Sequence, residues 1–230
     1  MKRLGVLGGM GPAAGAEFLV RLTHQTPAAC DQEHIPVILW SDPTVPDRST
    51  SLLNQDDLPW EKLKRGIQGL KNADCDHIVI PCNTAHFWYD RLVDLGVPIT
   101  HIVDSVADEL RAQDISGTIG ILGTRATMKL GLYSDRLNAL GWQCIMPTSK
   151  EMEDYVQPGI DLIKANKPIS ANGMLMTVVR SLIKRGANAV VLGCTEIPLV
   201  IREFHCEEIP LINSIDSLVK ASINKFNKEK

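Results

Sequence analysis

The chain repeats itself at about half its own length. Gly5-Val6-Leu7-Gly8 resembles Gly120-Ile121-Leu122-Gly123 at an offset of 115 residues. Ile78-Val79-Ile80-Pro81-Cys82-Asn83-Thr84-Ala85 matches Val190-Val191-Leu192-Gly193-Cys194-Thr195-Glu196-Ile197 at an offset of 112. Pro98-Ile99-Thr100-His101-Ile102-Val103-Asp104-Ser105 matches Pro210-Leu211-Ile212-Asn213-Ser214-Ile215-Asp216-Ser217 at the same 112. Three matches in one order at a nearly constant interval imply two similar lobes related by a pseudo-two-fold axis. The boundaries that follow are 1–103 for the first lobe and 104–213 for the second, with a last helix over 214–230 returning to the first.

Within each half, short apolar runs alternate with amphipathic stretches. Strands are expected at 3–7, 36–41, 77–81, 99–103, 118–122, 142–146, 189–192 and 209–212. Helices are expected at 12–26, 57–72, 85–95, 104–113, 126–140, 150–165, 171–185, 197–204 and 214–227. Strands alternating with helices make an α/β fold, here two doubly wound parallel sheets. Leu63, Ile67 and Leu70 share one helical face, as do Leu175, Val178, Val179 and Leu182. Gly96, Gly141 and Gly186 stand where left-handed helix caps are needed. Ser41 to Pro59, rich in proline and aspartate, reads as a loop lying over a cleft, able to close and exclude water.

Composition narrows the class. At 230 residues, 44% hydrophobic and 22% charged, the chain has the make-up of a soluble globular protein. A net charge of −3 gives no electrostatic reason for a nucleic-acid or membrane partner. No apolar run approaches the ~20 residues of a membrane span. The basic, then apolar start is cut short by Gly8, Gly9, Gly11 and Pro12, so it reads as a first strand and not a signal peptide. The six cysteines include no C-x-x-C pair and no Cys/His group at zinc spacing. A reducing cytoplasm is the expected setting, with no metal site.

Ligands of open α/β sheets bind beyond the carboxyl ends of the strands. Cys82 and Cys194 occupy such ends in both halves, so the repeat predicts two thiols facing one cleft. One thiolate and one thiol on opposite faces of a carbon acid can remove a proton and return one, inverting the centre. Placement before a helix is expected to favour the thiolate. Buried structural cysteines are the plain alternative, most apt for Cys30, Cys75, Cys144 and Cys206. Gly9-Met10-Gly11-Pro12-Ala13-Ala14 fits a loose dinucleotide fingerprint, but no acidic residue ends the second strand at the required distance. The loop suits a carboxylate instead, together with Gly123-Thr124-Arg125-Ala126-Thr127. Arg48 reads either as a carboxylate clamp or as a solvated surface arginine. Lys164 taken alone is a surface lysine. Glu196 can orient a group or bind an amine. His86, one turn after Cys82, can be a plain helix-face residue, and His101 falls at a strand end.

These motifs together resemble the aspartate/glutamate racemase family, the aspartate racemases most closely. The resemblance is carried by Gly5 to Pro12, Pro46-Asp47-Arg48, Pro81 to His86, Leu122 to Met128 and Gly193 to Pro198. It implies racemisation of an amino acid without any cofactor, with Cys82 serving the D-isomer and Cys194 the L-isomer. It further implies that Arg48 and Lys164 receive the substrate's side-chain carboxylate. Met10, Asn83, Thr84, Thr124, Thr127, Thr195 and Glu196 complete the implied substrate site, and a homodimer is the implied assembly. Aspartate is the expected substrate. Glutamate, a broader amino-acid range, or isomerisation or decarboxylation of a small diacid are relatives' alternatives. A non-catalytic amino-acid sensor is the alternative from another class, and intact thiols count against it.

Overall fold

The computed structural model describes residues 2–167, 169–201 and 209–227. The first half runs β1 (Leu4–Gly8), α1 (Pro12–Gln25), β2 (Val37–Ser41), α2 (Arg48–Asn54), α3 (Trp60–Asn72) and β3 (His77–Val79). A 3-10 turn, Thr84–Trp88, then leads into α4 (Tyr89–Val93) and α5 (Ile102–Ala112). The second half runs β4 (Thr118–Gly123), α6 (Arg125–Lys129), α7 (Ser134–Ala139), β5 (Gln143–Ile145) and α8 (Ser149–Glu151). A π-helical stretch, Met152–Val156, precedes α9 (Gln157–Lys164), α10 (Ile169–Lys184), β6 (Ala189–Gly193), β7 (Leu211–Asn213) and α11 (Ser214–Asn227). The chain divides into two compact units, Met1–Ser105 with Ile215–Lys230, and Val106–Ser214. The divisions fall inside α5 and after the first residue of α11.

Each unit is built on one parallel sheet. The orders are β2-β1-β3 and β5-β4-β6-β7. The first sheet carries a vestige of the missing fourth strand, since Ile78 bridges Ile99 in parallel. The repeat is legible in single hydrogen bonds. Ile78 N–H donates to Pro98 O at 2.9 Å, and Val190 N–H donates to Pro210 O at 3.0 Å. In β1, Leu7 and Gly8 point to opposite faces. A Cβ on Gly66 of α3 would meet Leu7, whereas Gly8 lies against Gly15 of α1. Helices therefore cover both faces, the doubly wound arrangement. Leu63, Ile67 and Leu70 are buried in the first core, and Leu175, Val178, Val179 and Leu182 in the second. Arg21 of α1 grips Asp216 of α11 at 2.7 Å, and Gln25 adds a bond at 2.9 Å, which docks the last helix on the first.

Several expected elements differ. No strand spans 99–103. Ile102 and Val103 are buried as the first residues of α5, because His86 and His101 accept their N–H groups and start the helix there. The expected helix 126–140 is split at Gly131, whose φ of +73° breaks it into α6 and α7. The expected helix 150–165 widens to a π turn before Pro158, which has no N–H to give the ladder. The 197–204 helix is a short 3-10 turn over Ile197–Leu199, and 202–204 lie outside the described residues, as does Cys206. The Ser41–Pro59 stretch is not all loop. Asp47 accepts from Thr50 N–H at 2.8 Å and caps α2. Gly96, Gly141 and Gly186 all hold positive φ, as their spacing requires.

Gly69 sits under the indole of Trp40, where a Cβ would lie 2.3 Å from the ring. Gly173 in α10 has nothing within 4 Å of the same position. Replacing either by Ala adds about 1 kcal/mol of helix preference. At Gly69 the clash, typically ~1–3 kcal/mol, outweighs that gain. Thermal denaturation is expected to show Gly173→Ala stabilised and Gly69→Ala destabilised.

Candidate active site

Both cysteines lie just beyond the carboxyl ends of strands that pair directly with the first strand of their sheet. Cys82 follows β3 by three residues and is 5% exposed. Its N–H donates to Ile80 O at 2.7 Å, a tight bend that turns the chain off the strand. Asn83 and Thr84 beside it are buried. Cys194 directly follows β6 and is 4% exposed. A Cβ on Gly193 would meet the ring of Tyr133 at 2.9 Å, so glycine there lets the buried tyrosine back the cysteine segment. Tyr133 is hydrogen-bonded to Ser214, and Ser214 donates to Leu192 O at 2.8 Å. Burial holds the Tyr133 phenol protonated far above its ordinary range.

The two thiols have different neighbours. Cys194 Sγ donates to Glu196 Oε2 at 3.0 Å, and Thr195 Oγ1 donates to the same oxygen at 3.3 Å. Glu196 is itself buried. Burial first, and then the Glu196 carboxylate, push the Cys194 thiol well above its ordinary pKa, while Lys164 pulls the other way. For Cys194 this corrects the expectation of a thiolate favoured by a following helix. A 3-10 turn, Ile197–Leu199, follows Cys194, and so short a turn carries little dipole. Cys194 rests as a thiol with its proton aimed at a carboxylate.

Arg48 is no surface arginine. It begins α2, is 8% exposed and donates through Nη1 to the carbonyls of Val45 and Pro46, each at 3.0 Å. Its Nε is buried without a hydrogen-bond partner, and no carboxylate pairs with it among the described residues. A buried guanidinium N–H without a partner is costly, and a carboxylate is the group whose geometry best satisfies one. Asp57 anchors the far end of this segment by accepting from Trp88 at 2.6 Å and from both Arg91 nitrogens at 2.9 Å. Gly9 anchors the near end, because a Cβ there would strike the Asp42 backbone at 2.4 Å. That close approach, with φ of +92°, accounts for one glycine of the first loop.

The other candidates are distributed between the units. Met10 is packed in the first core. Thr124 caps α6 by accepting from Thr127 N–H at 3.3 Å, and the two hydroxyls lie 2.9 Å apart, with Thr127 fully buried. Thr195 is buried beside Cys194. Lys164 ends α9 and is exposed, yet its charge is felt at Cys194. Tyr133 and Ser214 were not singled out by sequence, because a lone aromatic and a helix-start serine carry no spacing signal. The Asp47–Thr50 cap was readable as an Asp three residues before a Thr. Among the described residues no group of three His, Cys, Asp or Glu side chains could hold a metal ion. No described helix is long and apolar enough to cross a membrane.

The sequence model of the Asp/Glu/Hydantoin racemases matches residues 7–222. The chain belongs to this racemase family. The aspartate racemase of Picrophilus torridus superposes with a TM-score of 0.86 at 30% identity, covering 98% of this chain and 94% of that one. The broad specificity amino-acid racemase RacX of Bacillus subtilis strain 168 is 25% identical over 228 residues, 97% of each chain. Glutamate racemase isoform RacE1 of Bacillus anthracis shares the fold, with a TM-score of 0.70 at 18% identity over 99% of this chain and 82% of its own. The family thus places this chain among isomerases, with two α/β lobes.

The charges around Cys194 make a signed prediction for this racemase-family thiol. Glu196→Gln removes the carboxylate that raises the thiol's pKa, so the pH midpoint of Cys194 alkylation is expected to fall. Lys164→Ala removes the opposing charge, so its midpoint is expected to rise by a smaller amount. Mass spectrometry of iodoacetamide-treated protein across a pH series reads both shifts.

Proposed function

We propose that the protein interconverts L- and D-aspartate without a cofactor, using Cys82 and Cys194 as the two acid–base groups. The observation that carries this reading is the equivalent placement of the two thiols, each beyond the strand that adjoins its sheet's first strand, in a racemase-family chain. One cysteine, as thiolate, takes the α-proton and becomes a thiol. The other thiol gives its proton to the opposite face of the carbanion and becomes the thiolate. Each turnover therefore leaves the pair with its protonation exchanged. When Cys194 acts first from its resting thiol, on the L-isomer, its own proton first passes to Glu196, 3.0 Å away. Cys82 then supplies the proton that completes the D-isomer, so that this first turnover ends with Cys82 as the thiolate and the extra proton on Glu196.

The carbanion is stabilised as an enolate-like carboxylate by fixed donors. In this reading Asn83, Thr84, Thr124 and Thr195 hold the α-carboxylate and amine, and Thr127 braces Thr124. Met10 contributes through the backbone of its loop. Arg48, with its buried unsatisfied Nε, takes the side-chain carboxylate, and Lys164 assists it. A cytoplasmic homodimer belongs to the same reading, supported by the cysteine content and the sequence resemblance.

A broader substrate range is the second reading, favoured by the similarity to RacX along nearly the whole of both chains. One methylene separates aspartate from glutamate, which is worth only ~1–3 kcal/mol. Incubation with L-aspartate and with L-glutamate in deuterated water, without added cofactor, tests both readings. D-aspartate carrying α-deuterium is the expected product. Equal turnover of both acids would favour the broad range, and no exchange on either would favour a sensor. Cys82→Ala and Cys194→Ala are each expected to abolish racemisation while isothermal titration still detects substrate. Arg48→Leu removes charge-assisted bonds worth about 1.5–3 kcal/mol, so kcat/KM for aspartate should drop roughly 10- to 100-fold.

A further inference from the structure

Cys82 is bound to a buried histidine one turn along the chain. Ile102 N–H can only donate, and it does so to His86 Nε2 at 3.2 Å. That nitrogen therefore carries no proton. The proton of the neutral ring lies on Nδ1, 2.9 Å from the Cys82 carbonyl, which can only accept. The two bonds require one tautomer, and the ring is 3% exposed. Ile102 is the first residue of α5. His101 packs against His86 with ring centres 4.7 Å apart, and Tyr89 lies edge-on to His101 at 4.7 Å.

The peptide groups on both sides of the Cys82 Cα are thereby held. Its N–H is bonded to Ile80 O, and its C=O to His86. Fixing both fixes the direction of the Cα–Cβ bond, and so the arc open to Sγ. The second half solves the same problem with another group. The residue aligned with His86 at 112 residues is Pro198, and the residue aligned with Ile102 is Ser214. There the Ser214 hydroxyl ties the start of α11 to Leu192 O, two residues before Cys194.

We propose that His86 is a positioning residue for Cys82, a neutral Nδ1–H imidazole that ties the Cys82 carbonyl to the first N–H of α5 and so aims the thiol. The proposal rests on Cys82 taking part in proton transfer. His86→Asn keeps an N–H where Nδ1 stood and loses the acceptor for Ile102. His86→Gln loses the donor to Cys82, and His86→Ala loses both. In the full chain, His86→Gln and His86→Ala are expected to lose about 10- to 100-fold in kcat, the cost of a thiol displaced by about 1 Å. KM is expected to stay within about threefold, because substrate-holding groups are untouched. His86→Asn is expected to retain several-fold more activity than His86→Gln. Iodoacetamide labelling read by mass spectrometry should change for Cys82 alone, with Cys75 and Cys194 as references in the same molecule. Wild-type kcat in His86→Gln overturns the proposal, and so does a parallel rise in labelling of all three cysteines, which marks general loosening. Labelling needs no substrate. Failure of the wild-type protein to racemise either acid therefore counts against the proposed function alone, while the labelling still decides the role of His86.

Discussion

Parallel pairing of the first and third strands of each half is the constraint on which the rest depends. It aligns the carboxyl ends of β1 with β3, and of β4 with β6. A parallel strand cannot turn straight back, so each chain must leave the sheet at that end through a loop. Those loops are where Cys82 and Cys194 stand. The sheet edge is then closed by the segment bearing Pro98 or Pro210, each accepting one bond from the cysteine-bearing strand. That segment starts the helix in which, or just beyond whose first residue, the chain changes units.

Equivalent places have not produced equivalent chemistry. Cys194 donates a hydrogen bond to a buried carboxylate, and a negative neighbour in a poorly solvated site favours the thiol. Cys82 has a neutral imidazole on its carbonyl and amide and hydroxyl side chains beside it. An acid–base pair with two identical, equally poised thiols would have no preferred resting protonation. In the proposed racemisation, one thiol held in the acid form sets a starting point, and Glu196, 3.0 Å away, is placed to take its proton. The asymmetry follows from one difference between aligned motifs, Asn83-Thr84 against Thr195-Glu196.

Much of this was legible in the sequence because it depended on periodic or repeated signals. Alternating apolar runs marked the strands, and Leu63, Ile67 and Leu70 marked one helix face. The repeat located both cysteines at strand ends. What escaped depended on contacts distant in sequence or on local polar competition. The 99–103 run is apolar enough for a strand, yet two histidine rings accept the N–H groups of Ile102 and Val103 and start a helix instead. The polar 42–57 stretch hid α2, since the Asp47 cap outweighed the prolines around it. Arg48 could not be told from a surface arginine until its burial and its open Nε were seen.

In the proposed two-thiol reaction both groups must be held to a fraction of an ångström, and a loop cannot supply that rigidity by itself. Each half meets the demand by tying its cysteine segment to the first residue of the following helix. In one the tie is an imidazole bridging two backbone groups, and in the other a serine hydroxyl backed by a buried tyrosine. Both ties use the same resource, a helix start whose backbone or side-chain donors have no partner within the helix. The repeated fold thus dictates where a tie is needed and leaves its chemistry free. That freedom explains why Pro98 and Pro210 match across the halves, whereas His86 and Ser214 have no chemical counterpart.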